Sequence, residues 1–270
     1  MALIMMRAES GPRRSVPVRF LAPLAAGVLV LAAPCLADPT FTPFTVGERL
    51  TYDLSWGIIS AGTAVMEVAE RQTVGVRSAL KVVHTAQSND FISVFYPVNN
   101  RVESLLDEQG NYPTHLFFKR REGKRKNDIE VLFDQVAHRA TVTKDGATET
   151  LDIPPEAQDV LSCLYLFRTL RRVEVGSSSF INVLHDKKNY RLEARIEGKE
   201  RLKGPLGEFD TIRVLVIMPF RGLFLNEGNI RVWLTDDAAR VPVLMKAKVV
   251  IGSVTATLAS VRGITLTARP

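Results

Sequence analysis

Leu50, Tyr52, Leu54 and Trp56 take every second position of residues 48–56, the spacing that places side chains on one face of a β-strand. The same alternation, or a short apolar run bounded by turn residues, recurs at 63–69, 79–85, 98–106, 112–121, 127–135, 138–144 and 148–153. After one interruption it resumes at 178–184, 189–196, 209–218, 230–234, 243–251 and 254–265. Asp145-Gly146 is the strongest short-range hairpin signal in the chain. Gly57 and Gly62, Gly75, Asp186-Lys187 and the Gly-Pro-Leu-Gly run at 204–207 mark further turns. Roughly a dozen or more strands with turns every 8 to 12 residues predict a sandwich or a strongly curved sheet, and exclude a parallel α/β fold.

The interruption, residues 153–172, carries a helical signal. Pro154 and Pro155 suit a helix entrance, where no N–H is needed, and Glu156 and Asp159 complement the positive end of the dipole. Arg168, Arg171 and Arg172 complement the other end. Val160, Leu164 and Phe167 form one stripe, while Leu161, Tyr165, Leu166 and Leu170 widen the apolar arc beyond that of a surface helix. The expected fold is therefore mainly β, a single strongly curved antiparallel sheet or half-open barrel wrapping one central α-helix. Residues 38–270 suffice for one large domain, with no linker-like composition shift to divide them.

Residues 1–37 read as an export signal, with Arg7, Arg13, Arg14 and Arg19 preceding the apolar run at 20–33 and Cys35-Leu36-Ala37 before Asp38. That run is too short to span a bilayer. Cleavage after Ala37 is the expected processing step; acylation at Cys35 is the competitor, weakened by Pro34 directly before it. Without the signal the chain keeps 31 basic and 28 acidic residues, a formal charge of +3, so most of the excess basicity belonged to the leader. Nucleic-acid binding thereby loses its electrostatic support. Cys163 alone remains after cleavage, which rules out an internal disulfide, and its place beside Leu164 reads as an inert buried thiol. The expected location is the periplasm of a Gram-negative bacterium.

No nucleophile elbow, phosphate loop or dinucleotide fingerprint occurs. His84, His115, His138 and His185 fall on separate strands or turns with no close ligand pair, so neither a metal site nor any cofactor is expected. Asp236 and Asp237, followed by Arg240, form either an acid/base pair or a turn that Asp closes through its own backbone, and the turn is the better reading. Three segments remain as binding candidates. Lys119, Arg120, Arg121, Lys124, Arg125 and Lys126 crowd the expected hairpin tip at Glu122-Gly123, either as a solvated tip, the plainer reading, or as a contact for an anionic envelope surface. Phe220, Leu223, Phe224 and Leu225 occupy a loop bounded by Gly222 and Gly228, as a lid over the sheet or a contact for an apolar ligand. Phe91, Phe95 and Tyr96 lie on an expected short helical turn, as core or as lining of the same space.

The 46–57 segment Val-Gly-Glu-Arg-Leu-Thr-Tyr-Asp-Leu-Ser-Trp-Gly with Ala61-Gly62, the stretch 155–168, and 230–243 followed by 251–254 together resemble the exported bacterial proteins of the DUF3108 family. The resemblance runs through nearly the whole chain after the signal. It implies an exported β-rich fold and transfers no catalytic residue. More remotely, the architecture is similar to curved-sheet proteins that carry lipoproteins or sense envelope stress, in which a half-barrel cradles an apolar ligand.

The functional expectation is a non-catalytic periplasmic protein that binds an apolar or amphipathic ligand, a lipid, or an acylated partner such as a lipoprotein. An envelope assembly or interaction module with a filled core is the alternative, and a periplasmic hydrolase the third reading.

Overall fold

The computed structural model describes residues 42–170, 173–217, 229–248 and 252–268; the expected export signal lies outside them. Fourteen strands and two short helices follow in chain order. The first half comprises β1 (Arg49–Trp56), β2 (Ile59–Val74), β3 (Arg77–Ser88), α1 (Asp90–Ser93), β4 (Asn99–Asp107), β5 (Pro113–Glu122), β6 (Arg125–Asp134), β7 (Arg139–Lys144) and β8 (Ala147–Asp152). Then come α2 (Ser162–Arg168), β9 (Ser178–His185), β10 (Lys188–Gly204), β11 (Gly207–Ile217), β12 (Ile230–Thr235), β13 (Pro242–Lys248) and β14 (Ser253–Arg262). Each of the strand segments expected from alternation has its counterpart, with β2 and β10 longer than their patterns announced.

All the strands join one sheet in the order β8-β7-β6-β5-β4-β3-β2-β1-β14-β13-β12-β11-β10-β9. The first described strand lies in the middle of this sheet; from it the chain meanders out to β8, crosses through α2 to the opposite edge at β9, and meanders back. Its last strand then pairs antiparallel with its first, from Arg49 opposite Arg262 to Trp56 opposite Val254. The two edges are not backbone-paired, so the sheet is not closed. Connections follow turn chemistry: Asp145 and Gly146 both take positive φ, 51° and 83°, as a two-residue turn matched to strand twist requires.

Alternation sets the interior. Leu50, Tyr52, Met66, Val82, Phe118 and Val142 belong to one buried cluster, and Ile181, Leu192, Ile212, Val214, Val232 and Leu234 to a second. The α2 region joins them, since Tyr165 lies in the first, Phe167 in the second, and Leu164 packs against both.

Two expectations are corrected. The helix covers Ser162–Arg168, not 153–172. The preceding backbone is already committed: the Gln158 N–H donates to the Asn182 carbonyl at 2.8 Å, and the Gln158 carbonyl accepts from Leu184 at 2.9 Å. A chain pairing with β9 cannot also wind into a helix. Asp159 instead starts α2, its Oδ1 accepting from the N–H groups of Leu161 and Ser162 at 2.6 and 2.7 Å while its own N–H donates to Ser162 Oγ. The second correction is Gly62, which sits within β2 opposite Ser88 and not in the turn. A Cβ there would fall 2.0 Å from the Gln87 carbonyl oxygen, so the close approach of β2 and β3 requires glycine.

Candidate functional site

Because β1 ends where β2 begins, and each meander step reverses direction, one end of the sheet collects alternate connections. The β1–β2 tip at Gly57 and Ile58, the 89–98 excursion carrying α1, the β5–β6 tip at Gly123, the β7–β8 tip at Gly146 and the β9–β10 tip at Asp186 all lie there. The aromatic turn and the basic hairpin, separated in sequence, are thus brought to one rim. The β11–β12 connection with Phe220, Leu223, Phe224 and Leu225 lies outside the described residues.

The excursion is fastened at its base. Ser88 N–H donates to the Val98 carbonyl at 3.0 Å, and Val98 N–H donates to Ser88 Oγ at 2.9 Å. Asn89 caps α1, its Oδ1 accepting from the Ile92 N–H at 2.9 Å, while its Nδ2 donates to the Ser60 carbonyl at 2.8 Å. That second bond ties the excursion to the start of β2. The aromatic residues are not core: Phe91 is 58% exposed, Phe95 74% and Tyr96 45%, with Val94 beside them at 77%. Phe91 and Phe95 meet edge to face at 5.8 Å between ring centres. Across the Asn89 bond, Ile58 at the β1–β2 tip is fully exposed, and Trp56 and Ile59 are exposed at its flanks. Seven large apolar side chains gathered on two fastened segments exceed the scattered exposure of an ordinary surface.

Tyr96 joins this patch to the basic hairpin. Gly123 N–H donates to the Pro97 carbonyl at 2.8 Å, and the Tyr96 ring lies where a Gly123 Cβ would come within 2.7 Å of it. Along β5 the alternation divides the basic residues. Phe118, Arg120 and Glu122 face inward, so Arg120 is buried, 4.8 Å above the Phe118 ring and 3.5 Å from the Asp186 carboxylate. Its expected contact with an external surface is therefore corrected: the guanidinium points into the molecule. Arg121 is half-buried and pairs with Asp128 at 2.7 Å. Lys119, Lys124, Arg125 and Lys126 are exposed. Buried Glu122 takes a hydrogen bond from Tyr96, and desolvation raises its pKa above the usual carboxylate range.

Elsewhere the chemistry is structural. Asp237 Oδ1 accepts from the Ala239 and Arg240 N–H groups and from Thr235 Oγ1, while Asp236 pairs with Lys199 and Arg240, which is a turn and not an acid/base pair. Desolvation pushes the half-buried Cys163 thiol up to about 12, away from the thiolate form that a nucleophile needs. Among the described residues no three of His, Cys, Asp and Glu gather as a metal site.

One buried constellation escaped residue-by-residue reading. Arg168 from α2 makes a two-pronged pair with Glu48 at 2.5 and 2.9 Å, donates to the Ala239 carbonyl at 3.1 Å, and lies 5.2 Å from the Phe44 ring. Burial disfavours its charge, yet the Glu48 contact raises its pKa overall. Glu48, Arg168 and Ala239 come one each from the three segments that carry the family resemblance.

A family model and solved structures of other proteins match the chain. The family model described as "Protein of unknown function (DUF3108)" matches residues 51–259, and no curated protein matches the chain. A β-barrel-like protein of the domain of unknown function DUF1849 from Brucella abortus superposes with a TM-score of 0.57 at 12% identity, over 80% of this chain and 97% of that one. At that identity the likeness is one of fold. A protein with a YmcC-like fold from Bacteroides fragilis has a TM-score of 0.38 at 8% identity, covering 82% of this chain and 98% of its own. The hypothetical protein CT021 from Chlamydia trachomatis has a TM-score of 0.34 at 12% identity, covering 84% and 93%.

Proposed function

As the chain belongs to the DUF3108 family, described only as of unknown function, we propose that it is an exported, non-catalytic protein that docks on an anionic bilayer surface through this rim. One observation carries the reading: Phe91, Val94, Phe95 and Ile58 are exposed at the same end of the sheet as Lys119, Lys124, Arg125 and Lys126, and Tyr96 packs the two groups together. Apolar side chains enter the interface between headgroups and acyl chains, while cations draw the protein to negative lipid. Each Lys or Arg near such a surface contributes about 1 kcal/mol, and neither signal alone gives stable attachment. The expected export signal at residues 1–37 would deliver the protein to the periplasmic face of the envelope; cleavage there leaves attachment to the rim, whereas acylation at Cys35 would anchor it independently.

The test is co-sedimentation of the mature protein with vesicles of phosphatidylglycerol and with vesicles of phosphatidylcholine. Binding to the first, weakened by salt and by Lys124→Glu/Arg125→Glu, and lost in Phe91→Ser/Phe95→Ser, is the expected result. Equal binding to both overturns the role of the basic hairpin and of anionic lipid; binding to neither removes bilayer docking and turns the rim into a candidate surface for a protein partner.

A further inference from the structure

Behind the same rim the inner faces of β5, β6 and β7 meet the end of β9 around a cavity of about 30 Å³. Its walls are mostly apolar, with Leu116, Phe118, Val131, Val142 and Leu184 among them, and Arg120, Lys144, His185, Asp186 and Lys187 complete the lining. Arg120 is 4% exposed and lines the cavity with an Nε that has no hydrogen-bond partner; it pairs with Asp186 at 3.5 Å and feels the charge of Glu122. A buried guanidinium carries five N–H donors in a planar fork that matches a carboxylate or phosphate. Glu122, two residues along β5, balances part of the Arg120 charge but takes its hydrogen bonds from Tyr96 and Asn100, so the Arg120 Nε stays unpartnered. The group best suited to complete the Arg120 coordination is an anion entering the cavity.

The cavity also lies behind the one interruption of the sheet. β8 and β9 share no backbone ladder; past the end of β8, among the described residues, only Gln158 shares backbone bonds with β9, at Asn182 and Leu184. Between β8 and the β9–β10 tip the structure places side-chain contacts, Lys187 Nζ to Glu149 at 3.1 Å and Asn189 Nδ2 to the Asp152 carbonyl at 2.7 Å. Partly exposed contacts of this kind separate far more readily than a strand ladder. At rest the cavity has room for one or two waters, so anything larger enters by parting this seam.

We infer that the seam cavity is a binding site for a single-chain amphipathic anion, with its apolar chain between β5–β7 and β9 and its charged group at Arg120 and Lys144. This site stands apart from bilayer docking, since it requires the interior and not the rim patch. The shared chemistry, one acyl chain and one anionic group, fits a free fatty acid, a lysophospholipid, or the acyl chain of a modified polypeptide.

Calorimetric titration of the mature protein with laurate, lysophosphatidylglycerol and an N-acylated peptide, each below its micellar concentration, tests the site and separates the sources. Expected is saturable one-to-one binding of at least one of them. Arg120→Gln should weaken it about ten- to a hundredfold, the loss of one charge-assisted contact, while binding of dodecanol, which lacks the charge, is spared. Val142→Phe, which fills the cavity, should abolish both. Should Arg120→Gln fail to fold, Lys144→Gln in the half-buried lining replaces it, with the same loss expected. No binding of any probe overturns the site, as does binding unchanged by both Val142→Phe and Lys144→Gln. The rim variant Phe91→Ser/Phe95→Ser should keep laurate binding; if it loses laurate, the ligand sits on the rim and the cavity site is refuted, whereas loss of vesicle binding alone concerns docking.

Discussion

Arg168 and Glu48 are 0% and 1% exposed, and a fully buried ion pair is costly to break because the surviving charge is stranded. Glu48→Ala is therefore expected to destabilise the protein by about 3–5 kcal/mol, measured as a shift in the urea midpoint. Replacing both partners, as Glu48→Leu with Arg168→Met, should recover most of that loss; no recovery would mean that the Ala239 carbonyl and the Phe44 contact matter more than the ion pair. Glu122 gives the opposite case. Desolvation raises its folded-state pKa above the ordinary 4.5, so the folded state holds its proton more tightly than the unfolded chain does. Stability then falls as pH rises from about the unfolded value through the raised folded one. Glu122→Gln should remove that dependence, making the variant more stable than the parent at pH 7 and giving no such advantage below pH 4; thermal unfolding at the two pH values decides it. At this scale the sequence was half legible. The alternation along β5 was visible, but which of Lys119 and Arg120 faced inward depended on a register that only the folded sheet supplies.

Among elements, α2 shows how a strong local signal is overruled. Residues 153–161 have helical spacing and a good entrance, yet the Gln158 N–H donates to β9 and its carbonyl accepts from β9, and a backbone group can be used only once. Asp159, two residues before the Leu161 N-cap, then holds the first N–H groups of α2, and because it also accepts from Ser104 Oγ at 2.6 Å in full burial, it joins α2 to β4. Asp159→Ala should cost about 2 kcal/mol, at the upper end for a lost cap, with Asp159→Asn recovering part of it. The β2–β3 pair offers a sharper test. Gly62 has φ of 149° and faces the Gln87 carbonyl at a distance no Cβ tolerates, so Gly62→Ala should cost about 3 kcal/mol through strain and displaced backbone. A loss below 1 kcal/mol in chemical denaturation would mean that the strands part at little cost there, and would refute the close approach.

For the whole molecule, strand order decides where stability resides. β1 and β14, the two ends of the chain's strand sequence, lie at the centre of the sheet, while β8 and β9 from its middle form the edges. Native-state hydrogen exchange should show the strongest protection in β1, β2 and β14 and the weakest in β8, whose outer side faces only side-chain contacts. Uniform protection across β8 and β1 would indicate that the seam is as firmly joined as the ladders. The same order gathers Ile58, Phe91, Phe95 and the basic hairpin at one end, although as many as 68 residues separate Ile58 from Lys126 in the chain.

Strand positions, hairpin turns and the family resemblance were readable from the chain because they rest on short-range periodicity, turn stereochemistry and motif. Placement was not. Which tips share a rim depends on the number of reversals between them; the exposure of Phe91 depends on an Asn89 bond to a neighbouring strand; the inward turn of Arg120 depends on register; and the start of α2 depends on whether Gln158 is already spent on β9. Each of these is a competition between local preference and a partner distant in sequence, and only the tertiary structure decides which side has the partner.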